Sequence, residues 1–208
     1  MKSTVNLRHI LAALHCVSTE ETRYYLNGVC LEIRERETFA VSTDGHALFV
    51  AHHALGADAP DNALLGQFIL ASASVKAIKP RLTLKPGETT VERVDASTVK
   101  LVCDKVDYFA KLINGTFPDW RRVVPSSDVD ANEATASLDS MSVNSRKLEA
   151  FWRAADALDG RRNVSVPYSL CANGNAPWSV RFAGTDQAFG VIMSYRSAAR
   201  RGKRPDWI

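Results

Sequence analysis

Several features that would place the chain in a specialised class are missing. No apolar run approaches the length that spans a membrane, and the N-terminus, MKSTVNLRHILAALH, lacks the apolar core and cleavage pattern of a signal peptide. The four cysteines are widely spaced and form no CxxC pair, which argues against a zinc site. We therefore expect reduced, packed thiols in a reducing cytoplasm, and no membrane partner.

Signatures of the common enzyme classes are also missing. The chain has no P-loop, so it should not hydrolyse a nucleotide itself, and no Ser or Cys nucleophile stands in a recognisable elbow. Asp44 and His46, or His52 and His53, could suggest acid–base work or a metal site, but no second carboxylate shares the Asp44 loop. A turn whose polar side chains bond the backbone explains Asp44-Gly45-His46 better. We expect neither catalysis nor a cofactor.

Neither positive nor negative side chains are in large excess. Of the 208 residues, 46% are hydrophobic, which is enough for a packed core and argues against global disorder. The net charge of +3 permits contact with nucleic acid without requiring it. The length fits one large domain or two small ones.

What the sequence does contain is one order of elements, a lead-in strand, a helix and then strands, repeated three times. The three predicted helices lie around Leu7–Leu14, over Ser72–Lys79 and over Asn144–Leu158. The pattern predicts an α+β fold of three βαβββ units. Between the second and third units, the polar and acidic stretch Pro125–Asn132 is the best linker candidate. It separates residues 1–125 from residues 126–208.

Two of the predicted helices have recognisable faces. In the first helix, Leu7, Ile10, Leu11 and Leu14 should pack on the sheet. The face opposite to these four apolar residues consists of Arg8, His9, Ala12 and Cys16. The buried stripe of the third helix should consist of Leu148, Phe151, Trp152, Ala155 and Leu158. Arg146 and Arg153 should project from its other side.

Three segments in fixed order are the most specific signal in the chain. They are Arg23-Tyr24-Tyr25-Leu26-Asn27-Gly28, Thr43-Asp44-Gly45-His46 and Phe117–Pro125 (FPDWRRVVP). Together they closely resemble the middle domain of the bacterial DNA polymerase III β subunit, the sliding clamp, although that family usually has Tyr where this chain has Trp120. Phe189–Arg196 resembles the family's C-terminal strand, which usually carries Met-Pro-Met-Arg.

The resemblance implies a DNA clamp fold, in which helices line a pore and sheets form the outer shell. Residues 1–125 then correspond to one complete clamp domain and residues 133–196 to half of the last domain, while the family's first domain has no counterpart. A ring of about twelve units would need about four copies of the chain, head to tail, so we expect a homotetramer, with a trimer or a dimer as alternatives.

The implied function is that of a processivity factor that encircles double-stranded DNA without reading its sequence. Its implied partners are a DNA polymerase, other proteins that carry a clamp-binding motif, and an ATP-dependent clamp loader. The alternative is a shortened, clamp-like interaction protein that binds clamp partners without encircling DNA.

Candidate DNA-binding residues are the basic residues of the helices and the segment that lies at the ring face in the family. They are Arg8, Arg23, Tyr24, Tyr25, Lys76, Lys79, Arg146, Lys147 and Arg153. The ordinary interpretation of such cations is a solvated helix face. In a strand running from Arg23 to Ile33, Tyr24 and Tyr25 would point to opposite sheet faces, so one would be core and the other could stack on a base or sugar.

The resemblance also implies an apolar groove for a partner's peptide. Its residues would be Leu26, Thr43, Gly45, His46, Leu48, Pro118, Arg122, Val123, Val191, Met193, Ser194, Tyr195 and Arg196. Ordinary core packing is the alternative for Leu26, Leu48, Val123 and Val191. Ala47 replaces a common Arg, Ser194 a Pro and Tyr195 a Met, so the preferred peptide could differ from that of an ordinary clamp.

The C-terminal segment carries a basic run, Arg200, Arg201, Lys203 and Arg204, followed by Trp207 and Ile208. A solvated tail is the default interpretation. The alternatives are an arm that grips phosphates, or an aromatic plug for a neighbour's groove.

Overall fold

The computed structural model describes residues 1–78, 88–103, 105–125, 141–159, 168–171 and 177–196. The first unit consists of β1 (Lys2–Asn6), α1 (Leu7–Ala13), 3₁₀ turns at Leu14–Cys16 and Glu21–Leu26, β2 (Gly28–Ile33), β3 (Glu37–Thr43) and β4 (Ala47–Ala54). The second consists of β5 (Gly66–Ala71), α2 (Ser72–Ala77), β6 (Glu88–Arg93), β7 (Thr98–Cys103), β8 (Val106–Ile113) and a 3₁₀ turn at Trp120–Val123. The third consists of β9 (Met141–Ser142), α3 (Ser145–Asp159), β10 (Tyr168–Cys171), β11 (Trp178–Phe182), β12 (Ala188–Ile192) and β13 (Tyr195–Arg196). The predicted order of strand, helix and strands is therefore present three times.

Eleven of these strands form one antiparallel sheet, in the order β1-β6-β7-β8-β5-β2-β3-β4-β12-β11-β10. The lead-in strands of the first two units are exchanged, because β1 pairs with β6 of the second unit and β5 pairs with β2 of the first. The third unit joins the sheet through β12, which pairs with β4 in a register that places Val191 opposite Leu48. Within the described ranges, no helix has the length and apolar character needed to cross a membrane.

The central strands are apolar on both faces, and the two faces belong to different clusters. On β2, Val29, Leu31 and Ile33 pack with the three helices in the main core. Cys30 points the other way, into a second cluster on the face opposite the helices, here called the outer face. This division follows from the two-residue period of a strand. The helices therefore form one layer and the second cluster lies behind the sheet.

Helix α1 is buried more completely than its sequence predicts. Asn6 caps its start by accepting a hydrogen bond from the Arg8 amide at 2.9 Å. His9, Ala12 and Cys16, which the pattern assigned to the face opposite the sheet, are all buried. The reason is that α1 packs on the sheet and also against α3, a neighbour that the spacing of apolar residues cannot reveal.

The buried stripe of α3 is also rotated from the predicted one. Phe151 and Ala155 are buried as predicted, but Ala154 is buried as well and Trp152 remains 44% exposed. The helix lies so close to β12 that a Cβ on Gly190 would collide with the Phe151 ring. Phe151 thus sets the side of α3 that faces the sheet.

The strand predicted from Arg23 to Ile33 begins only at Gly28. Glu21–Leu26 is instead a 3₁₀ turn, so the expectation that Tyr24 and Tyr25 lie on opposite faces of a strand is wrong. Gly28, the first residue of β2, does not have a positive φ. Its small size matters for another reason, because a Cβ there would collide with the Leu70 carbonyl of β5.

The thiols described by the structure match the sequence prediction. Cys16, Cys30 and Cys103 are unpaired and buried. Burial raises the pKa of the Cys30 thiol to about 12, and burial also raises the pKa of the Cys16 thiol. These cysteines are therefore unreactive packing residues. The Cys171 side chain, most of the predicted linker and the basic C-terminal segment lie outside the described residues.

Candidate functional site

The junction between β4 and β12 gathers three of the apolar residues predicted for the groove. Leu48 of β4 and Val191 of β12 are register partners and point to the outer face, where Leu26 packs in the same cluster. All three are buried, so each is both a core residue and a candidate floor of the groove. The sequence prediction left those two roles as alternatives, and this geometry accommodates both.

The turn between β3 and β4 forms one rim of this junction. Asp44 Oδ1 accepts hydrogen bonds from the His46 and Ala47 amides, both at 2.9 Å. Gly45 has a φ of 89°, which favours glycine. The His46 carbonyl then accepts a hydrogen bond from the Met193 amide at 2.8 Å. The turn thus has the backbone-bonding role predicted for it, and it fixes the third unit beside β4.

A second rim comes from the segment that contains Trp120, which is anchored by a buried carboxylate. Arg121 donates two hydrogen bonds to Glu32, at 3.0 and 2.9 Å, and the Trp120 Nε1 donates a third at 3.3 Å. Burial raises the pKa of Glu32, but the hydrogen bonds from Arg121, Arg34 and Trp120 outweigh it and hold the pKa below its ordinary value. The Arg121 guanidinium lies 4.1 Å from the Trp120 ring centroid. Sequence reasoning missed this anchor, whose only signal is a charged residue alternating with apolar ones in β2.

The groove candidates therefore divide into a buried floor and an exposed rim. Val123 is 45% exposed and Met193 is 41% exposed, and Pro118 and Arg122 are exposed as well. Phe117 and Trp120 connect the rim segment to the floor, because they pack in the outer-face cluster. For Tyr195 and Arg196, only their place in the short strand β13 is described.

The candidate DNA-binding residues on the helices differ in their exposure and in their partners. Arg146 and Arg153 are exposed, and Arg153 donates to Glu149 one turn earlier at 2.7 Å. Lys76 on α2 is exposed too. Lys79 lies outside the described residues.

Two other helix cations are engaged inside the molecule. The Arg8 guanidinium donates to the carbonyl oxygens of Leu158 and Asp159, at 3.4 and 2.7 Å, and so caps the end of α3. Lys147 forms an ion pair with Asp44, which links the start of α3 to the β3–β4 turn. Both residues differ from the exposed pore cations that we predicted, because each has a structural partner.

The segment that includes Arg23 projects from the rim beside the β3–β4 turn. Arg23 forms a two-point contact with Glu20, at 2.8 and 2.6 Å. Tyr24 is 54% exposed, and its ring lies edge-on to that of Tyr25 at 5.8 Å. Tyr25 also packs against the outer-face cluster, so Tyr24 is the ring of the pair that remains available for stacking.

A polar cleft of about 250 Å³ lies between the first turn of α3, the Leu14–Cys16 turn and the β3–β4 turn. His15, Glu20, Asp44, Arg146 and Lys147 are among its lining residues. Burial lowers the pKa of His15, and the nearby Arg153 lowers it further. The cleft contains charges of both signs. Lys147 and Asp44, which form an ion pair, both belong to its lining.

Comparison with known proteins agrees with this geometry. The sequence model of the family described as DNA polymerase III beta subunit, central domain, matches residues 3–119. The beta sliding clamp of Caulobacter vibrioides is 36% identical over 113 residues, which cover 52% of this chain and 29% of that protein. The beta sliding clamp of Escherichia coli K12 is 29% identical over 202 residues, which cover 90% of this chain and 51% of that protein. The chain therefore spans about half or less of the length of these relatives.

Solved structures show the same fold over nearly the whole chain. The sliding clamp of Bartonella birtlesii bound to griselimycin has a TM-score of 0.64 at 20% identity, covering 94% of this chain and 66% of that one. The sliding clamp of Pseudomonas aeruginosa has a TM-score of 0.65 at 19% identity, with the same coverage of both chains. Because the family match extends over more than half of the residues and the fold agrees, this chain belongs to the DNA polymerase III β-subunit family of sliding clamps.

Proposed function

We propose that the chain is a DNA sliding clamp, a processivity factor that encircles duplex DNA and tethers a polymerase or repair protein through an apolar groove. The observation that carries the proposal is the junction of β4 and β12, where buried Leu48 and Val191 lie behind the exposed Met193. The residues proposed for the groove come from three distant parts of the chain, and the shared cluster of Leu26, Leu48 and Val191 supports their grouping. In this proposal the chain catalyses no reaction and works in the cytoplasm.

The helix layer supplies the surface for DNA. Arg146 and Arg153 lie exposed on the side of α3 that faces away from the sheet, so they can contact phosphates without reading bases. The partners are double-stranded DNA, proteins with a clamp-binding motif, an ATP-dependent clamp loader, and further copies of the chain that close a ring of about four subunits.

The groove suits a peptide with variable apolar side chains. Met193 and the aliphatic floor form a soft surface that can adapt to different side chains. Ala47, where the family commonly has Arg, is only 2% exposed and therefore leaves the rim without that cation. We infer that the groove prefers a peptide different from the one that an ordinary clamp binds.

Peptide titration tests the groove. A labelled peptide with a clamp-binding motif should bind the wild-type chain, and Met193→Glu should weaken it at least tenfold, because a charge would replace an apolar contact. Leu65→Glu is the matched control, since Leu65 is 48% exposed in the loop before β5, and it should leave the affinity unchanged. Fluorescence anisotropy gives both affinities. Equal loss in the two variants, or no binding by the wild-type chain, would contradict the proposal.

A second candidate function follows from the engaged cations. Arg8 donates hydrogen bonds to backbone carbonyl oxygens at the end of α3, and Lys147 pairs with the Asp44 carboxylate, so the helix layer offers fewer free positive charges than its sequence predicts. This favours the alternative of a shortened clamp relative that binds clamp partners without encircling DNA.

A further inference from the structure

The Asp44 carboxylate connects the β3–β4 turn to helix α3. Its Oδ1 accepts hydrogen bonds from the amides of His46 and Ala47, each at 2.9 Å. Its other oxygen, Oδ2, forms the ion pair with the Lys147 ammonium. Thr43 supports the same turn, because its hydroxyl donates to the Ala47 carbonyl oxygen at 2.8 Å. Both oxygens of Asp44 are therefore engaged, one by the turn itself and the other by a helix about one hundred residues later in the chain.

The same turn holds part of the rim of the proposed groove. The His46 carbonyl oxygen accepts a hydrogen bond from the Met193 amide at 2.8 Å, just after the end of β12. The Met193 residue is 41% exposed beside this junction. A continuous series of bonds therefore runs from the first turn of α3, through the Asp44 turn, to the backbone of Met193.

Arg146 and Lys147 are consecutive on α3 and both line the polar cleft, but their environments differ. Arg146 is exposed, whereas the side chain of Lys147 is 24% exposed and that of its partner Asp44 is 14% exposed. Consecutive residues of a helix lie about 100° apart around its axis, so one can face the turn while the other faces solvent. An ammonium that is already held by a shielded carboxylate is a poorer ligand for a DNA phosphate than an exposed guanidinium.

We propose that Lys147 is a positioning residue for the peptide groove and not a DNA-contacting residue. Its ammonium holds the Asp44 carboxylate in the orientation in which Oδ1 receives the two turn amides, and the turn then fixes the backbone at Met193. The inference rests on the proposed function and deepens it, because it assigns to the groove a cation that the sequence predicted for DNA.

The physical reason is the cost of leaving Asp44 without its cation. A shielded carboxylate that loses its partner is strongly disfavoured, so the side chain should turn toward water. That movement would take Oδ1 away from the amides of His46 and Ala47 and loosen the turn. The effect of removing Lys147 should therefore appear at the groove, on the other side of the turn.

Peptide and DNA titrations of the full chain separate the two roles. Lys147→Met removes the charge and keeps most of the side-chain length. Its affinity for a labelled peptide with a clamp-binding motif should fall about fivefold, while the salt dependence of duplex binding should keep the wild-type value. Arg146→Met is the matched control, because it removes the same charge from the neighbouring residue. It should keep the peptide affinity and lower the salt dependence by about one phosphate contact. The reverse pattern would overturn the inference.

A double-mutant cycle shows whether Lys147 acts through Asp44. Asp44→Asn keeps an oxygen that can accept the turn amides and removes the negative charge. It should weaken peptide binding as much as Lys147→Met does, and the double variant should be no weaker than either single variant. Lys147→Arg should retain most of the affinity, because it keeps a cation that can pair with Asp44. Additive losses in the double variant would count against the inference.

Hydrogen exchange decides the inference without a peptide. The Met193 amide should exchange faster in Lys147→Met than in the wild-type chain or in Arg146→Met, because its acceptor is held less firmly. Asp44→Asn should show the same increase, and it replaces Lys147→Met in this measurement if that variant does not fold. Absence of peptide binding by the wild-type chain would refute the proposed function, and the exchange rates would still decide whether Lys147 positions Met193. Unchanged exchange at Met193 would overturn the inference while leaving the proposed function standing.

Discussion

At the scale of single residues, charged side chains hold the elements together, and most of them are at least partly buried. Glu32 joins Arg121 and Trp120 to β2, Arg8 caps α3, and Lys147 joins α3 to the β3–β4 turn. Each charge is paired, which is how charged groups are tolerated away from water. These contacts position the outer-face cluster and the helix layer relative to each other.

Buried His9 makes the stability of the first unit depend on pH. Burial, together with the neighbouring His53 and His52, lowers the pKa of His9 to about 4. Between pH 6.5 and 4 the unfolded chain binds the proton and the folded chain does not, so stability should fall as the pH falls through this range. Relative to pH 7, we expect a loss of about 1–2 kcal/mol at pH 5.

Urea unfolding at a series of pH values measures this effect. His9→Leu is the appropriate comparison, because it keeps an apolar contact and removes the proton site, and its stability should depend less steeply on pH. Parallel curves for the two proteins would show that His9 does not carry the pH dependence.

At the scale of elements, helix α3 packs on the sheet with one side and exposes basic side chains on the other. Phe151 and Ala155 attach it to the sheet, while Arg146 and Arg153 remain exposed. Its position is fixed at both ends, by Lys147 at the start and by Arg8 at the end. In the proposed function, this rigidity would let the exposed arginines present charge to a phosphate backbone at a constant distance.

Charge reversal on α3 should weaken DNA binding without unfolding the chain. In Arg146→Glu/Arg153→Glu, affinity for a random duplex at low salt should fall more than tenfold, and the salt dependence should decrease by about two phosphate contacts. Arg153 loses only an exposed pair with Glu149, which contributes little to stability.

The matched control for this variant lies on the other side of the sheet. Arg181 is exposed on β11 between Val180 and Phe182, which point into the main core, so it faces away from the helix layer. Anisotropy titrations should show that Arg181→Glu binds DNA more tightly than Arg153→Glu. If the two single variants were equally weak, the binding would reflect net charge and not the α3 surface.

At the scale of the whole molecule, one antiparallel sheet of eleven strands carries all three units, with the helices on one face and the outer-face cluster of the proposed groove on the other. A sheet that is continuous across unit boundaries can extend further by pairing strand edges, which is the physical basis for the closed ring that we propose. Separate faces would let DNA and a partner peptide bind at the same time.

A topological assay distinguishes a ring from a shortened interaction protein. After loading by a clamp loader with ATP, the chain should remain on nicked circular plasmid during gel filtration and leave when the plasmid is cut once. Duplex of the same length that is linear from the start is the control, and it should retain little protein. Equal retention on circular and linear DNA would favour binding without encirclement.

The sequence by itself determined the three-unit order, the Asp44 turn and the family. These depend on local spacing and on short motifs, which the linear order of residues records directly. Tertiary structure alone decided that His9 is buried, that Arg8 and Lys147 are engaged, that Trp152 is exposed, and that lead-in strands are exchanged between units. The reason is physical: periodicity shows which face of an element is apolar, but which distant element covers that face depends on the packing of the whole chain.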